Sequence, residues 1–265
     1  MHKNTPQIKK FINENFDDSY ERVSYFKNKY EGETAYILGT GPSINDIPKK
    51  DFEKLKDKLV ISMKQTLSSV PDADYHLLNF CNLTKYEYKN ENTIVGWSVW
   101  DGNQPHTIIN NFDNDFILPT YKLNDGSVDL ENSIAFNLDQ LDKLDIDSGM
   151  ARPWGPGTMY EMAIPLAVYF GCNKIVTLGW DLYGTEIDRY KDDIESLTQP
   201  HCYNNEDLEW TNTDTSITRK EIVGVIKSTK MIKKWLNDKG VDLEIIDPNG
   251  NNPAYKSIKK REKLW

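Results

Sequence analysis

Apolar and polar positions along this chain follow two periods, and the switch between them recurs. Residues 6–30 place Ile8, Phe11, Ile12, Phe16, Tyr20, Val23, Phe26 and Tyr30 one, three or four positions apart, the spacing of an amphipathic helix or of two short ones. Short apolar runs that read as strands come next: "TAYILG", "KLVISMK", "DYHLLNF", "NTIVGWSVW", "DFILPTY", "KIVTLGWDL" and "VDLEIIDP". Helical patterns over 49–58, 157–170 and 218–238 separate several of them. Strands alternating with helices predict an α/β fold, a Rossmann-like and mostly parallel sheet with helices on both faces.

Two stretches interrupt the pattern. Residues 100–150 are rich in Asn and Asp and weakly periodic, which predicts loops and an insertion near the site. Residues 184–216, "GTEIDRYKDDIESLTQPHCYNNEDLEWTNTDTS", have the composition of a mobile lid. The expected organisation is a helical extension over 1–33, a Rossmann-like domain over 34–250 that carries the lid, and a tail over 251–265.

Composition mainly excludes. A chain of 265 residues can bury a substantial core in one large domain. Its net charge of −9 argues against a general binder of nucleic acid or anionic membrane and leaves room only for a local basic pocket. Cys81, Cys172 and Cys202 are scattered, with no C-x-x-C pair or zinc spacing, and read as reduced thiols. The first 33 residues lack a signal-peptide core, and no run nears the roughly 18 apolar residues of a membrane span. A cytoplasmic protein is expected, touching membranes at most peripherally through the basic "SIKKREKLW", itself expected to be a solvated end. Oligomeric state is left open.

Candidate chemistry clusters at strand ends, where open α/β sheets collect ligands. In "GTGPS", after the strand "AYIL", Gly39 and Gly41 flank Thr40 and would let backbone approach a ligand; Pro42 suits a first helical turn and Ser43 can cap it or donate to an anion. The motif is neither the G-x-G-x-x-G dinucleotide fingerprint nor a P-loop. Lys64 and Gln65 end the second strand and Asn79 the third, offering a cation for phosphate and amides that read a base or sugar. The segment 152–184, "RPWGPGTMYEMAIPLAVYFGCNKIVTLGWDLYG", supplies Arg152 and then a glycine-rich turn, Gly155, Gly157 and Thr158, whose NH groups at a helix N-terminus suit an anion. Pro165 within that helix predicts a kink or a loss of stability. Asp181 at the next strand end bonds loop NH groups or coordinates a metal, although no partner carboxylate stands at ligand spacing.

With these residues assembled, the chain resembles the superfamily of bacterial lipo-oligosaccharide sialyltransferases and motility-associated flagellin glycosyltransferases. That group opens with a strand and G-x-G-P-S, matched by Gly39 to Ser43, and carries a strand ending in Asn, matched by Asn79. Its glycine-rich turn, small-residue helix, lysine-containing strand and G-x-D-x-Y are matched by Gly157 to Tyr183, and its closing helix, strand and D-P-N by "STKMIKKWLNDKGVDLEIIDPNG". The resemblance spans residues 34–250 and implies a metal-independent, cofactor-free transfer of sugar from a nucleotide-linked donor, with CMP as the nucleotide, to a glycan. It implies that Gly39, Gly41, Ser43 and Asn79 hold the nucleotide, that Tyr183 and Tyr190 hold its phosphate, and that His201 in the lid is the base. Thr40 and Lys64 stand where the sialyltransferases carry Asn, and "TDTSIT" precedes the helix at 218–238 where their catalytic histidine falls. These departures bear on the donor more than on the fold. Two other functions fit the same residues: a pterin-type diphosphokinase with Asp181 on Mg²⁺, and a non-catalytic protein that binds nucleotide or glycan.

Overall fold

Five-residue apolar runs seed the sheet, and each becomes a strand at the place its sequence predicts. The computed structural model describes residues 4–17, 19–64, 66, 73–79, 92–98, 116–118, 158–181, 196–198, 216–250 and 258–265. In chain order the strands are β1 (Thr34–Leu38), β2 (Leu59–Met63), β3 (Tyr75–Asn79), β4 (Ile94–Ser98), β5 (Phe116–Leu118), β6 (Lys174–Leu178), β7 (Ser196–Thr198), β8 (Ser216–Thr218), β9 (Asp242–Ile246) and β10 (Lys259–Arg261). Eight of them form one sheet in the order β10-β9-β6-β1-β2-β3-β4-β5, every neighbouring pair parallel. β7 and β8 pair separately and antiparallel, within and beside the expected lid. The chain steps outward from β1 to β5, then returns to the opposite side of β1 at β6. Strand order therefore reverses between β1 and β6.

Both faces of β1 are buried, as a central parallel strand requires. On one face Ala35, Ile37, Ile61, Tyr75 and Ile175 pack in a single apolar cluster with the helices α1 (Thr5–Asn15), α2 (Ser19–Ser24) and α5 (Arg219–Asp238). On the other, Tyr36, Leu38, Val176 and Leu178 meet Ile44, Ile47, Leu55 and Leu264, with Phe52 of the short α3 (Lys49–Glu53) against them. The segment before residue 34 is part of this core. Phe26 is fully buried and lies 5.4–5.6 Å, ring centre to ring centre, from Tyr75, Phe116 and Phe170. Tyr30 and Tyr75 share a 2.7 Å hydroxyl contact, and burial raises both phenol pKa values. Thr5 donates to the buried Asp74 carboxylate at 2.6 Å, which also takes the Val60 N–H at 2.8 Å.

The helix after the glycine-rich turn answers the Pro165 question. It includes a π turn, Met159–Ala163, and continues as α4, Ile164–Tyr169, with Pro165 in the first α turn. The Ile164 N–H reaches back five residues to Met159 O. A proline in an unbroken α-helix loses one N–H bond and presses its ring on the carbonyl four residues earlier; the widened turn precedes Pro165 and relieves that crowding. Gly171, at φ +84°, closes the helix: its N–H bonds Val168 O and the Cys172 N–H bonds Ala167 O.

One expectation is corrected here. "SIKKREKLW" is not a solvated end, because Lys259–Arg261 form β10 beside β9 and Leu264 is buried. The physical reason sits in β9, whose Glu244 is buried and needs cations. Lys174 Nζ approaches its carboxylate at 3.1 Å, Arg261 Nε at 2.9 Å, and Lys259 pairs with it as well. Burial opposes ionisation, yet these cations hold the Glu244 carboxyl below the usual range. Among the described residues, no helix is long and apolar enough to cross a membrane.

Candidate functional site

The two glycine motifs meet where the strand order reverses, at the carboxyl ends of β1 and β6. The Gly39 N–H bonds Leu178 O at 2.7 Å and the Gly41 N–H bonds Gly179 O at 2.8 Å, so the β1–β6 ladder runs on past both strands. Pro42 then starts a short 3₁₀ turn, Pro42–Asp46, with Gly41 at its cap position. Asp181 caps that turn from across the crevice. Its Oδ2 accepts the Ser43 N–H at 2.8 Å, and its Oδ1 accepts the Ser43 hydroxyl.

This geometry gives the glycines a reason other than room for a ligand. A Cβ on Gly39 would stand 2.5 Å from Gly179 O, and one on Gly41 would stand 2.5 Å from Asp181 Oδ2 and 2.7 Å from Gly179 O. Gly179 itself has φ +65°, and its Cβ would meet Gly39 O at 2.7 Å. The two loops clasp backbone to backbone, and only glycine fits. Several N–H groups of the turn already have partners. The N–H groups of Gly39, Gly41 and Ser43 are spent on the β6 loop, and that of Ile44 bonds Gly41 O at 3.3 Å. Thr40, between the two glycines, is half-buried.

Electrostatics reinforce the point. Burial pushes the Asp181 pKa up, the two bonds from Ser43 pull it down, and the carboxylates of Asp247 and Asp46 push it up again. Asn249 draws Asp46 in with a 2.7 Å bond, so the D-P-N loop after β9 closes this acidic corner. The sign of the linkage follows. A carboxyl whose folded-state pKa is raised contributes stability that is complete below the ordinary value, about pH 4, and lost as pH climbs through the raised one. Asp181→Asn is expected to remove that decline, and urea midpoints measured from about pH 4 to pH 7 check it. An unchanged slope would mean that Asp181 does not titrate in this window.

Lys64 follows β2, the other neighbour of β1, in left-handed backbone at φ 50°, a conformation uncommon for a side-chain-bearing residue and frequent at functional positions. Thr66 steadies the bend: its hydroxyl donates to Met63 O at 2.6 Å and accepts the Met63 N–H at 3.0 Å. Asn79 is the last residue of β3, two strands from β1. Thr158, in helical backbone at φ −53° and ψ −32°, directly precedes the π turn. Its hydroxyl is buried and, among the described residues, has no hydrogen-bond partner. Tyr160 packs edge-on against Trp180 at 5.4 Å and bonds Thr229 of α5 at 2.6 Å. Gln65, Arg152, Gly155, Gly157, Tyr183, Tyr190 and His201 lie outside the described residues.

Sequence reasoning missed Asp46 and Asn249 as parts of the acidic corner. Asp46 reads in sequence as one more polar residue. The D-P-N run was the available signal for Asn249.

No protein-family model matches the chain, and no curated protein matches it. Among solved structures it is similar to the MAf glycosyltransferase from Magnetospirillum magneticum AMB-1, at 10% sequence identity and a TM-score of 0.40 over 86% of this chain. The chain spans 36% of that protein's length, about a third.

Proposed function

We propose that this protein is a glycosyltransferase that moves a sugar from a nucleotide-activated donor to a glycan without a bound metal. The observation that supports this reading best is the meeting of G-x-G-P-S and G-x-D at the reversal point of a parallel sheet, where α/β proteins hold nucleotides. Because the clasp consumes its own N–H groups, the donor phosphate is assigned to the other side of the crevice. There the buried Thr158 hydroxyl offers a donor, and Lys64 supplies a cation. The acidic corner takes the uncharged, hydroxyl-bearing part of the donor.

The chemistry asked of such a site is modest. A nucleotide phosphate leaves readily once its growing charge is met by fixed donors, and the acceptor hydroxyl needs a base. In this proposal Tyr183 and Tyr190 join Thr158 on the phosphate, and His201 takes the acceptor proton near neutral pH. The donor is proposed to be a CMP-linked, sialic-acid-like sugar.

Thermal unfolding with CMP, CDP, UDP, GDP and ATP, each with Mg²⁺ and with EDTA, tests the reading. CMP is expected to raise the melting temperature equally in both conditions, since a ligand at a hundred times its Kd adds about 2.7 kcal/mol to the native state. No rise with any nucleotide would sink the proposal. A rise only with ATP and Mg²⁺ would favour the diphosphokinase instead.

A further inference from the structure

The second face of the sheet carries a basic surface that the transferase reading does not use. Tyr36, Val176, Glu244 and Lys259 occupy one register row across β1, β6, β9 and β10 and share that face. At the β1 end of the row Trp265 stacks on Tyr36 at 5.7 Å and donates its indole N–H to Asp51 O at 3.1 Å, which seats it on α3. The residue is still 40% exposed. Lys54 and Lys58 hold their ammonium groups 5.7 and 6.0 Å from the ring centre. At the other end Lys174, Lys259 and Arg261 surround Glu244, with Lys259 67% exposed. Among the described residues, Lys54 pairs with Asp51 while Lys174, Lys259 and Arg261 together meet one carboxylate, that of Glu244.

We propose that this face docks the protein on a bilayer bearing anionic lipids, with Trp265 seated at headgroup level and the lysines on lipid phosphates. The chain's net charge of −9 does not oppose this. Exposed charges interact over roughly 8–10 Å at physiological salt, so a membrane senses the nearest face and not the total. The half-exposed indole selects a bilayer over a polynucleotide. An amphipathic ring between two lysine stems suits the interface, where tryptophan and snorkelling lysine gather. A duplex would instead need a longer track of cations. The proposal does not rest on the transferase reading and can fail without it.

Co-sedimentation of the full chain with vesicles decides it. Phosphatidylcholine vesicles with about one-third phosphatidylglycerol are expected to bind the protein at low salt, to release it near 0.3 M salt, and to bind better than phosphatidylcholine alone. Lys54→Glu with Lys58→Glu, at exposed positions that leave folding intact, is expected to weaken binding by roughly tenfold or more. Trp265→Ala is expected to weaken it as well, with a melting curve recorded alongside because the ring packs on Tyr36. Equal binding to neutral and anionic vesicles, parental binding by the double lysine variant, or displacement of vesicles by duplex DNA through the same lysines would each overturn the proposal.

Discussion

Gly41→Val is expected to cost about 3 kcal/mol of folding stability and to remove nucleotide binding with it, because the added carbons enter a packed contact. The Asp181 carboxylate 2.5 Å from the new Cβ is able to swing aside, but doing so strips both bonds from Ser43. The Gly179 carbonyl at 2.7 Å has no such freedom, since it accepts the Gly41 N–H within the β1–β6 contact. Urea unfolding paired with a CMP titration checks both losses. If glycine stood here only to let a ligand approach, the urea midpoint would stay put while affinity fell. A stable variant without affinity would therefore refute the clasp.

Phe26→Ala is expected to cost about 3–5 kcal/mol, the range for removing a buried aromatic ring. That is a large share of the roughly 5–15 kcal/mol that holds a typical domain. Phe26 sits in a segment that reads from sequence as an appendage, yet its ring joins Tyr75 of β3, Phe116 of β5 and Phe170 after α4. The surrounding aromatics are rigid and close on several sides, so the vacated space cannot collapse cheaply. Chemical denaturation of the variant measures the cost. A loss below about 1 kcal/mol would restore the view of an independent extension.

These two residues mark what is legible in such a chain and what is not. The seven apolar runs announce their strands because buried parallel strands need apolar side chains on both faces, as in β1 with Ala35 and Ile37 on one side and Tyr36 and Leu38 on the other. β10 escapes the same test. Its Lys-Lys-Arg is an edge sequence whose pairing depends on the buried Glu244 of β9. Pro165 announces a break in its helix, while the π turn that absorbs it depends on how the helix seats against Trp180 and α5. At the site, G-x-G-P-S reads correctly as a tight turn after a strand. Its partner is invisible locally, because Ser43 and Asp181 stand 138 residues apart. Nothing in a local pattern says whether a glycine faces a ligand or another loop.

The pairing of β1 with β6 also sets the order in which this protein can be made. Thr34 to Leu38 gain their second neighbour only when Lys174 to Leu178 exist. At roughly 5–20 residues per second, a ribosome needs about seven to thirty seconds to cover that distance. Throughout that interval β1, β2 and β3 are available to pair while the other edge of β1 stands bare, a row of unmet N–H and C=O groups with apolar side chains on either side. A central strand is thus, for most of its synthesis, an edge strand. Fast misassembly between nascent copies competes with slow closure by β6, and the clasp of Gly39, Gly41 and Gly179 has to wait for that closure.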